Sequence, residues 1–391
     1  MSRHDTLVVG GGIGGLAAAL ALARAGRRIL LSEQAPQFAE IGAGLQLGPN
    51  ALRAFDRLGV LGPVLDTAVL PARAVIRDAV TGDELTVLDL GHPFRARYGY
   101  PYVVAHRHDV LSALLDACRA EPGIDLRTGR TVVGVLEQTE YVEVTFADGE
   151  VLTTHLLVGA DGLRSQVRHL IDRSPPRFSG HVAYRGTIVR SQLAADLAPD
   201  DVTLWMGPGI HLMQYPVRRG ELYNQVAVYE RPAGAAEPHG TAEEFHAAFA
   251  IAHRSVRACV ALLDPHRDWP VHDRDPLPTW TTAHTVLLGD AAHAMLQYLG
   301  QGACQALEDA VALGDAVLNH PHCPERALKQ YEQQRLSRAS RCQTVARPWG
   351  DLWHTRDPTL LALRNRVFRL RRPDDYTDLD WLYADRTEDA A

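Results

Sequence analysis

Short apolar runs that end in glycine occur at three distant places in the chain, and the first of them predicts a complete folding unit. Thr6–Val9 is apolar and rich in β-branched residues, and a G-x-G-x-x-G turn fills residues 10–15. An alanine- and leucine-rich stretch follows as far as Gly26, and residues 28–33 form a second strand-like run. This order predicts a strand, a tight turn, a helix and a second strand, which begin an α/β fold.

The glycine turn has the residue types that a dinucleotide site needs, in a candidate set made of Gly10, Gly12, Ile13, Gly14 and Gly15. Gly10 permits the turn, Gly12 lets backbone amides approach a pyrophosphate, and Gly15 lets the helix pack closely on the strand. The positive end of the helix dipole then favours phosphate. Glu33 lies about 20 residues further on, where an acidic side chain accepts hydrogen bonds from ribose hydroxyls and disfavours a 2′-phosphate.

A secretory signal is the alternative for this stretch, because residues 6–23 carry no charge. The glycine turn at its start, the absence of a cationic region beyond Arg3, and the strand directly downstream favour the nucleotide fold. The chain is therefore expected to have no membrane span.

Two further apolar runs also end in glycine and aspartate. Residues 155–158 precede Gly159-Ala160-Asp161-Gly162, and residues 285–288 precede Gly289-Asp290. Asp161 has an alternative interpretation as a polar residue that caps the following helix.

The three motifs in this order resemble those of the single-component FAD-dependent aromatic hydroxylases. The resemblance implies an FAD-binding Rossmann-like domain of the glutathione reductase type, with an inserted antiparallel β-sheet substrate domain and C-terminal helices. It also implies FAD as cofactor, NADH or NADPH as a transient reductant, and O2 as the oxidant that reacts through a flavin C4a-hydroperoxide. No second glycine-rich βαβ unit is present for the nicotinamide cofactor.

The resemblance assigns further residues to the cofactor. Asp161 and Asp290 are expected to bond ribityl hydroxyls, and Gln301, Gly302 and Ala303 to begin a helix whose N-terminus faces the flavin N1 and C2 carbonyl. Arg107, in A-H-R-H-D-V-L, resembles an arginine that contacts the ribityl and phosphate region; the alternative is an exposed arginine at a helix start. Residues 40–47, with Gly44, are expected to form a wall over the flavin.

Strand patterns interrupt the nucleotide fold twice, in residues 75–102 and in residues 178–275, where runs lie at 182–189, 202–206, 209–217 and 222–229. They predict an inserted sheet. The predicted division is a discontinuous FAD-binding domain (1–72, 106–177 and 276–345), a substrate domain (73–105 and 178–275) and a C-terminal helical segment (346–391).

Strand alternation selects candidate catalytic residues. Within residues 210–215 a period of two puts His211, Met213 and Tyr215 on one face, which suits a small, partly polar aromatic ligand. A histidine, with an ordinary pKa of about 6.5, takes a phenol proton at neutral pH and so makes the ring electron-rich. His211 is the hypothesised base, and Tyr215 contacts the substrate carboxylate or lines the pocket. The alternative for His211 is a histidine satisfied inside the sheet.

The run L-Q-Y-x-x-Q-G-A at residues 296–303 resembles the branch that hydroxylates 3-hydroxybenzoate para to its hydroxyl, which gives gentisate. Gln297 is the candidate that orients the substrate. The segment lacks the prolines that most relatives have here. A salicylate-type or hydroxynicotinate-type hydroxylase and a tailoring hydroxylase of a larger phenol share the same FAD motifs. A non-oxygenating flavin reductase or a binding protein on this scaffold is the alternative from another class.

The composition of the chain indicates which classes of partner and metal site are expected. The 391 residues suit a large dinucleotide-binding domain and a smaller one, and the net charge of -7 argues against nucleic acid as a partner. Five cysteines without a C-x-x-C pair favour a reducing, cytoplasmic location, and the eighteen histidines lack metal-ligand spacing, so no metal site is predicted. A homodimer is an expectation from the resemblance.

Overall fold

The strands of the computed structural model fall into two main sheets that face each other across a cavity. The structure describes residues 5–38, 44–193, 199–231 and 238–384. Residues 40–43 of the expected flavin wall and residues 385–391 of the C-terminal segment lie outside the described residues.

The elements of the described chain are numbered in sequence order. The strands are β1 Thr6–Val9, β2 Ile29–Ser32, β3 Gly44–Leu47, β4 Arg73–Asp78, β5 Glu84–Asp89, β6 Val103–His106, β7 Ile124–Arg127, β8 Val132–Glu137, β9 Val142–Phe146, β10 Val151–Thr154, β11 Leu156–Gly159, β12 Arg177–Val189, β13 Val202–Gly207, β14 Ile210–Val217, β15 Leu222–Glu230, β16 Asp268–Asp273 and β17 Thr285–Leu287. The α-helices are α1 Ile13–Arg24, α2 Pro49–Arg57, α3 Leu61–Thr67, α4 His92–Tyr98, α5 Arg107–Ala120, α6 Ala242–Phe249, α7 Arg254–Val260, α8 Asp290–His293, α9 Gly302–Asn319, α10 Pro324–His354, α11 Pro358–Leu370 and α12 Asp380–Tyr383.

The first sheet is parallel, with the strand order β17-β11-β1-β2-β7. Its three neighbouring strands β17, β11 and β1 are the ones that the three glycine motifs follow. Because the carboxyl ends of parallel neighbours lie at one edge of a sheet, the three motifs meet there although they are far apart in sequence. The predicted nucleotide fold is confirmed.

Helix α1 packs closely against α9, and the alanine-rich composition of α1 permits this close contact. A Cβ added at Gly314 of α9 would lie 2.9 Å from the Cβ of Ala21 and 3.2 Å from its carbonyl oxygen. Residues Leu16 to Leu22 of α1 are all buried, since the helix is covered by the sheet on one side and by α9 on the other. Small side chains on both helices therefore let these two layers come together.

The second sheet has seven strands in the order β16-β12-β15-β14-β13-β4-β5, so the two inserted segments join in one sheet. It is mostly antiparallel, but β4 runs parallel to β13. The expected antiparallel sheet is present, and this pair is the parallel one in it. The chain enters the sheet twice from the nucleotide domain, and β4 and β13 belong to different entries.

Two smaller pairings were not predicted. The β8, β9 and β10 strands form a three-stranded antiparallel sheet within the segment 106–177, and β6 pairs with β3 rather than with the seven-stranded sheet. Among the described helices, none combines the length and the apolar character needed to cross a membrane.

A buried carboxylate ties together the elements next to the third glycine motif. One oxygen of Asp309, on α9, accepts hydrogen bonds from the backbone N–H of Gly289 at 3.0 Å and lies 2.5 Å from Nε2 of His293. The other oxygen is 2.8 Å from Nε of Arg335 on α10. Burial alone would raise the pKa of Asp309, but the charges of His293 and Arg335 outweigh it and hold the pKa at about 2.

Asp309→Asn is expected to lower the free energy of unfolding by about 3 kcal/mol, because it removes one charge partner from the buried guanidinium of Arg335. The measurement is urea denaturation of the FAD-loaded protein. Asp315→Asn is the control on the same helix: its ion pair with Arg57 is exposed (53% and 39% of the two side chains) and its loss should change stability by less than about 1 kcal/mol. Equal effects of the two substitutions would contradict the anchoring role of Asp309.

Candidate active site

A cavity of about 480 Å³ lies between the motif edge of the parallel sheet and one face of the seven-stranded sheet. Elements of both units line it. The lining residues are Gly44, Leu45, Gln46, Tyr102, Arg107, Leu163, Arg185, His211, Met213, Tyr215, Val226, Pro270, Val271, His272, Asp290, Met295, Leu296, Gln297, Tyr298, Leu299, Gly300, Gln301, Gly302, Ala303 and Trp353.

The glycine turn after β1 is too crowded for side chains. Gly10 has φ +108°, and an added Cβ would collide with the carbonyl of Ala160; a Cβ at Gly15 would collide with the carbonyl of Gly10. Gly12 is the N-cap of α1 and makes no side-chain cap, and the first turn of α1 holds no acidic residue. The start of α1 therefore offers a phosphate its backbone amides, with no acidic side chain in the first turn of the helix.

Glu33 lies beside this turn, as expected for a ribose ligand. Its carboxylate accepts hydrogen bonds from the backbone N–H groups of Gly11 at 2.6 Å and Ala35 at 2.8 Å. Because a carboxylate has about four acceptor positions, these two bonds leave capacity for hydroxyl donors. The ribose contact stays a prediction.

On the cofactor side of the cavity, Asp290 begins α8 with an exposed side chain, and Arg107 begins α5 half-buried. Helix α9 begins at Gly302, and its first turn holds no acidic residue. The side-chain oxygen of Gln301 accepts hydrogen bonds from Asn50 and Gln305, each at 3.0 Å, and so supports the helix start. A contact between Gln301 and the cofactor stays a prediction.

The structure does not bring Asp161 to the cavity wall. Its carboxylate accepts hydrogen bonds from the Ser165 hydroxyl at 2.5 Å and from the backbone N–H groups of Gln166 and Val167 at 2.7 and 3.3 Å. This geometry matches the alternative of a turn cap before the 3-10 helix 167–170. A role for Asp161 in binding the cofactor stays a prediction.

The sheet side of the cavity follows the predicted alternation of β14. His211, Met213 and Tyr215 line the cavity, whereas Leu212 is buried in the core on the other face and Gln214 accepts a bond there from Trp205 Nε1 at 2.9 Å. Tyr215 is only 3% exposed and burial raises the pKa of its phenol, so it stays a neutral hydrogen-bond donor.

His211 is buried against other rings. It is 1% exposed, its Nδ1 lies 2.6 Å from Nε2 of His354, and the Tyr298 and Trp353 rings meet it edge-on. Burial, with a further contribution from His181, lowers the pKa of His211 to about 3. The ring is therefore neutral at neutral pH, and its Nε2 is the nitrogen left for a ligand. An anion in the cavity would raise this pKa again.

Arg185 lines the cavity and was not predicted from the sequence. The strand register places it in one row with Val226 and the predicted Met213, because Arg185 lies opposite Val226 and Val226 opposite Met213. Its guanidinium stacks over Trp269 at 5.5 Å. Burial and the charge of Arg107 lower its pKa, so an anion bound between the two arginines would be stabilised. An arginine inside an apolar strand run was the available signal.

Other missed lining residues come from elements whose approach only the tertiary structure shows. Tyr102 precedes β6 and donates to Gln46 at 2.8 Å, and Trp353 comes from the end of α10. Gln297 lies in a 3-10 turn at the cavity, as predicted, and the neighbouring Tyr298 packs behind it against Trp353 at 5.2 Å.

Comparison with known proteins shows the family of the chain. A family model described as an FAD binding domain matches residues 3–346. The chain is 37% identical to 3-hydroxybenzoate 6-hydroxylase 1 of Aquipseudomonas alcaligenes, over 98% of each chain. It is 35% identical to 6-hydroxynicotinate 3-monooxygenase of Bordetella bronchiseptica, over 87% of this chain and 89% of that protein.

The chain belongs to the FAD-dependent aromatic hydroxylases. The solved structure of Klebsiella pneumoniae HpxO complexed with FAD and uric acid matches this hydroxylase with a TM-score of 0.83 and 28% identity, covering 95% of this chain and 94% of HpxO. The chain is thus an oxygenating flavoenzyme, and the non-oxygenating alternative is not supported.

The residues of this hydroxylase fit FAD. The first turns of α1 and α9 hold no acidic residue, and Arg107 and Asp290 line the cavity together with Gly302 at the start of α9. Amides and a guanidinium suit a pyrophosphate, and a carboxylate suits sugar hydroxyls.

Gly44→Ala is expected to lower kcat/KM for the aromatic substrate by about tenfold or more, because displacing a positioning side chain by about 1 Å is costly in rate. An added Cβ would lie 2.5 Å from Cε2 of Tyr215 and 2.8 Å from Cγ of the buried Asn224, so Tyr215 must move. FAD content and the melting temperature should change little.

Steady-state kinetics of the FAD-loaded variant check this, with Gly62→Ala as control, since no atom lies within 4 Å of a Cβ built there. An unchanged kcat/KM for Gly44→Ala would show that this contact does not place Tyr215.

Proposed function

We propose that this hydroxylase converts 3-hydroxybenzoate to gentisate, with NADH as the reductant of FAD and O2 as the oxidant. The observation that carries the proposal is the sheet wall of the cavity, where the ring of His211 and the guanidinium of Arg185 face the same space. One can accept a phenol proton and the other can pair with a carboxylate, which are the two polar groups of a hydroxybenzoate.

Cavity size supports a small substrate. About 480 Å³ must hold both the flavin ring and the substrate, and buried side chains such as His211 and Tyr215 close its sheet wall. A tailoring hydroxylase of a larger phenol would need a wider space on this side.

Charge supports an anionic substrate. Arg107 and Arg185 lie near enough for the first to lower the pKa of the second. A carboxylate between them relieves this repulsion. A hydroxynicotinate-type substrate carries the same two polar groups and is the second candidate, because a relative at 35% identity bears that name. A salicylate-type hydroxylase would share the wall but needs its carboxylate next to the reacting carbon.

The reaction follows from where these side chains lie. Reduced FAD, when bound, activates O2 and supplies the electrophilic oxygen atom. His211 accepts the phenol proton on Nε2, which raises electron density at the para ring carbon. Arg185 and Tyr215 hold the carboxylate end, and Gln297 hydrogen-bonds the phenol oxygen. Aromatic side chains around His211 keep water from the forming phenolate.

Two copies of the chain form the expected homodimer.

The substrate prediction is checked with the purified yellow protein and 3-hydroxybenzoate, salicylate, 4-hydroxybenzoate and 6-hydroxynicotinate in separate reactions. We expect oxygen uptake coupled to NADH oxidation, and gentisate by chromatography, with 3-hydroxybenzoate alone. Coupled product from 6-hydroxynicotinate instead would move the enzyme to the second candidate, and NADH oxidation without any aromatic product would refute all four.

His211→Ala is expected to retain FAD and lower ring hydroxylation by about 10²-fold or more, because the substrate loses its positioned base. Single-turnover product formation with reduced enzyme and O2 measures this step apart from reduction. His246→Ala, at an exposed site on α6, serves as the control and should turn over like wild type. Normal hydroxylation by His211→Ala would remove His211 from the mechanism.

A further inference from the structure

A second buried histidine sits directly behind His211, on the side away from the cavity. His354 is the last residue of α10 and is 4% exposed; its Nε2 lies 2.6 Å from Nδ1 of His211. Its backbone is fixed as well, because the carbonyl of His354 accepts a hydrogen bond from the N–H of Gly209 at 2.9 Å, in the turn that leads into β14. The contact between the two rings is therefore held from both elements.

This contact couples the two tautomers. One proton must lie between Nδ1 of His211 and Nε2 of His354. Without it, two nitrogen lone pairs would face each other at hydrogen-bond distance. If His354 donates it, neutral His211 carries its own proton on Nε2 and faces the cavity as a donor. If His211 donates it, Nε2 of His211 is bare and can act as a base.

The surroundings of His354 keep its ring neutral, so its Nε2 can accept a hydrogen bond when the ring carries its own proton on Nδ1. Burial lowers its pKa well below the ordinary value, and the nearby charged groups on its own and neighbouring elements, Arg356 and Arg364, act in the same direction, as do His211 and His181. The rings of Tyr298 and Trp353 close the cluster against water.

The third histidine of the cluster provides an internal comparison. The ring of His181 meets that of His354 edge-on at 4.5 Å between centroids, and it is also buried, at 7% exposure. Glu230 and Asp351 raise its pKa against the larger effect of burial, which lowers it. In the described part of the chain these rings do not form a metal-ligand group.

We propose that His354 is a positioning residue for His211: its Nε2 accepts the Nδ1–H of His211, which leaves Nε2 of His211 bare for the substrate phenol. When the phenol O–H bond breaks, the proton forms an N–H bond at Nε2 of His211, and the imidazolium keeps its Nδ1–H directed at His354. This role rests on the proposed function, in which His211 is the base.

The first test is spectroscopic and does not need turnover. Long-range ¹⁵N NMR of histidine-labelled, FAD-loaded enzyme reports which ring nitrogen carries the proton, and the His211 signals are assigned by difference from His211→Asn. With a hydroxybenzoate bound, we expect Nδ1–H on His211 in wild type and in His354→Gln, whose side-chain oxygen can accept the same bond. In His354→Leu we expect the proton on Nε2. A wild-type His211 protonated on Nε2 only would overturn the proposal.

The second test uses kinetics and the pH profile. His354→Leu should lower the rate of ring hydroxylation by about tenfold or more, a part of the 10²–10⁴-fold that a positioned base contributes. KM should change little, and activity should recover as the pH approaches about 10, where a phenol ionises without a base. His354→Gln should stay within about threefold of wild type, because it restores the acceptor to His211.

His181→Leu is the matched control, since it removes a ring from the same cluster without touching the bond to His211. Because His181 also lowers the pKa of His211, its loss should raise that pKa, but it should not produce the recovery of activity at high pH that is expected of His354→Leu. Equal losses in His181→Leu and both His354 variants, without recovery at high pH, would reduce His354 to a packing residue and overturn the proposal. If wild type makes no gentisate, the proposed substrate fails while the NMR result still decides the tautomer.

Discussion

The buried carboxylate of Asp309 is the interaction on which the geometry of the active site depends. It joins the turn after β17, the start of α8 and the long helix α10 through Gly289, His293 and Arg335. Arg335 and the end of α10 belong to the same helix, with Pro348 between them. At that end, Trp353 borders the cavity and His354 bonds His211. One ionic anchor thus joins the cofactor edge to the helix that ends behind the substrate wall.

The two walls of the cavity, the cofactor wall and the sheet wall, offer different groups to a ligand. The cofactor wall acts mainly through backbone: a glycine turn without room for side chains and two helix N-termini without acidic residues. The sheet wall acts through side chains, since alternate residues of β14 and Arg185 of β12 face the cavity. Substitutions on the sheet wall can therefore change the substrate without disturbing the cofactor site. This division explains why one fold serves relatives named for different ring substrates.

Charge inside the cavity is arranged for an anion. Burial keeps His211 neutral, with a pKa lowered to about 3, while Arg107 and Arg185 remain the cationic groups on either side. A carboxylate that neutralises these arginines also raises the basicity of the histidine, because negative charge nearby favours the imidazolium. Substrate binding and activation of the base are thus expected to support each other.

The sequence by itself determined the parts that depend on local pattern. Glycine positions, strand order and a period of two were enough to predict the parallel sheet, the starts of α1 and α9, and the shared face of His211, Met213 and Tyr215, since each follows from backbone geometry over a few residues. Only the tertiary structure decided which distant elements meet. Arg185 reaches the site through the pairing of β12 with β15, and His354 through the end of a helix 143 residues further along the chain. The sequence also could not show which donors a carboxylate bonds. Asp161 accepts hydrogen bonds from three donors of its own turn, because they lie within hydrogen-bond distance.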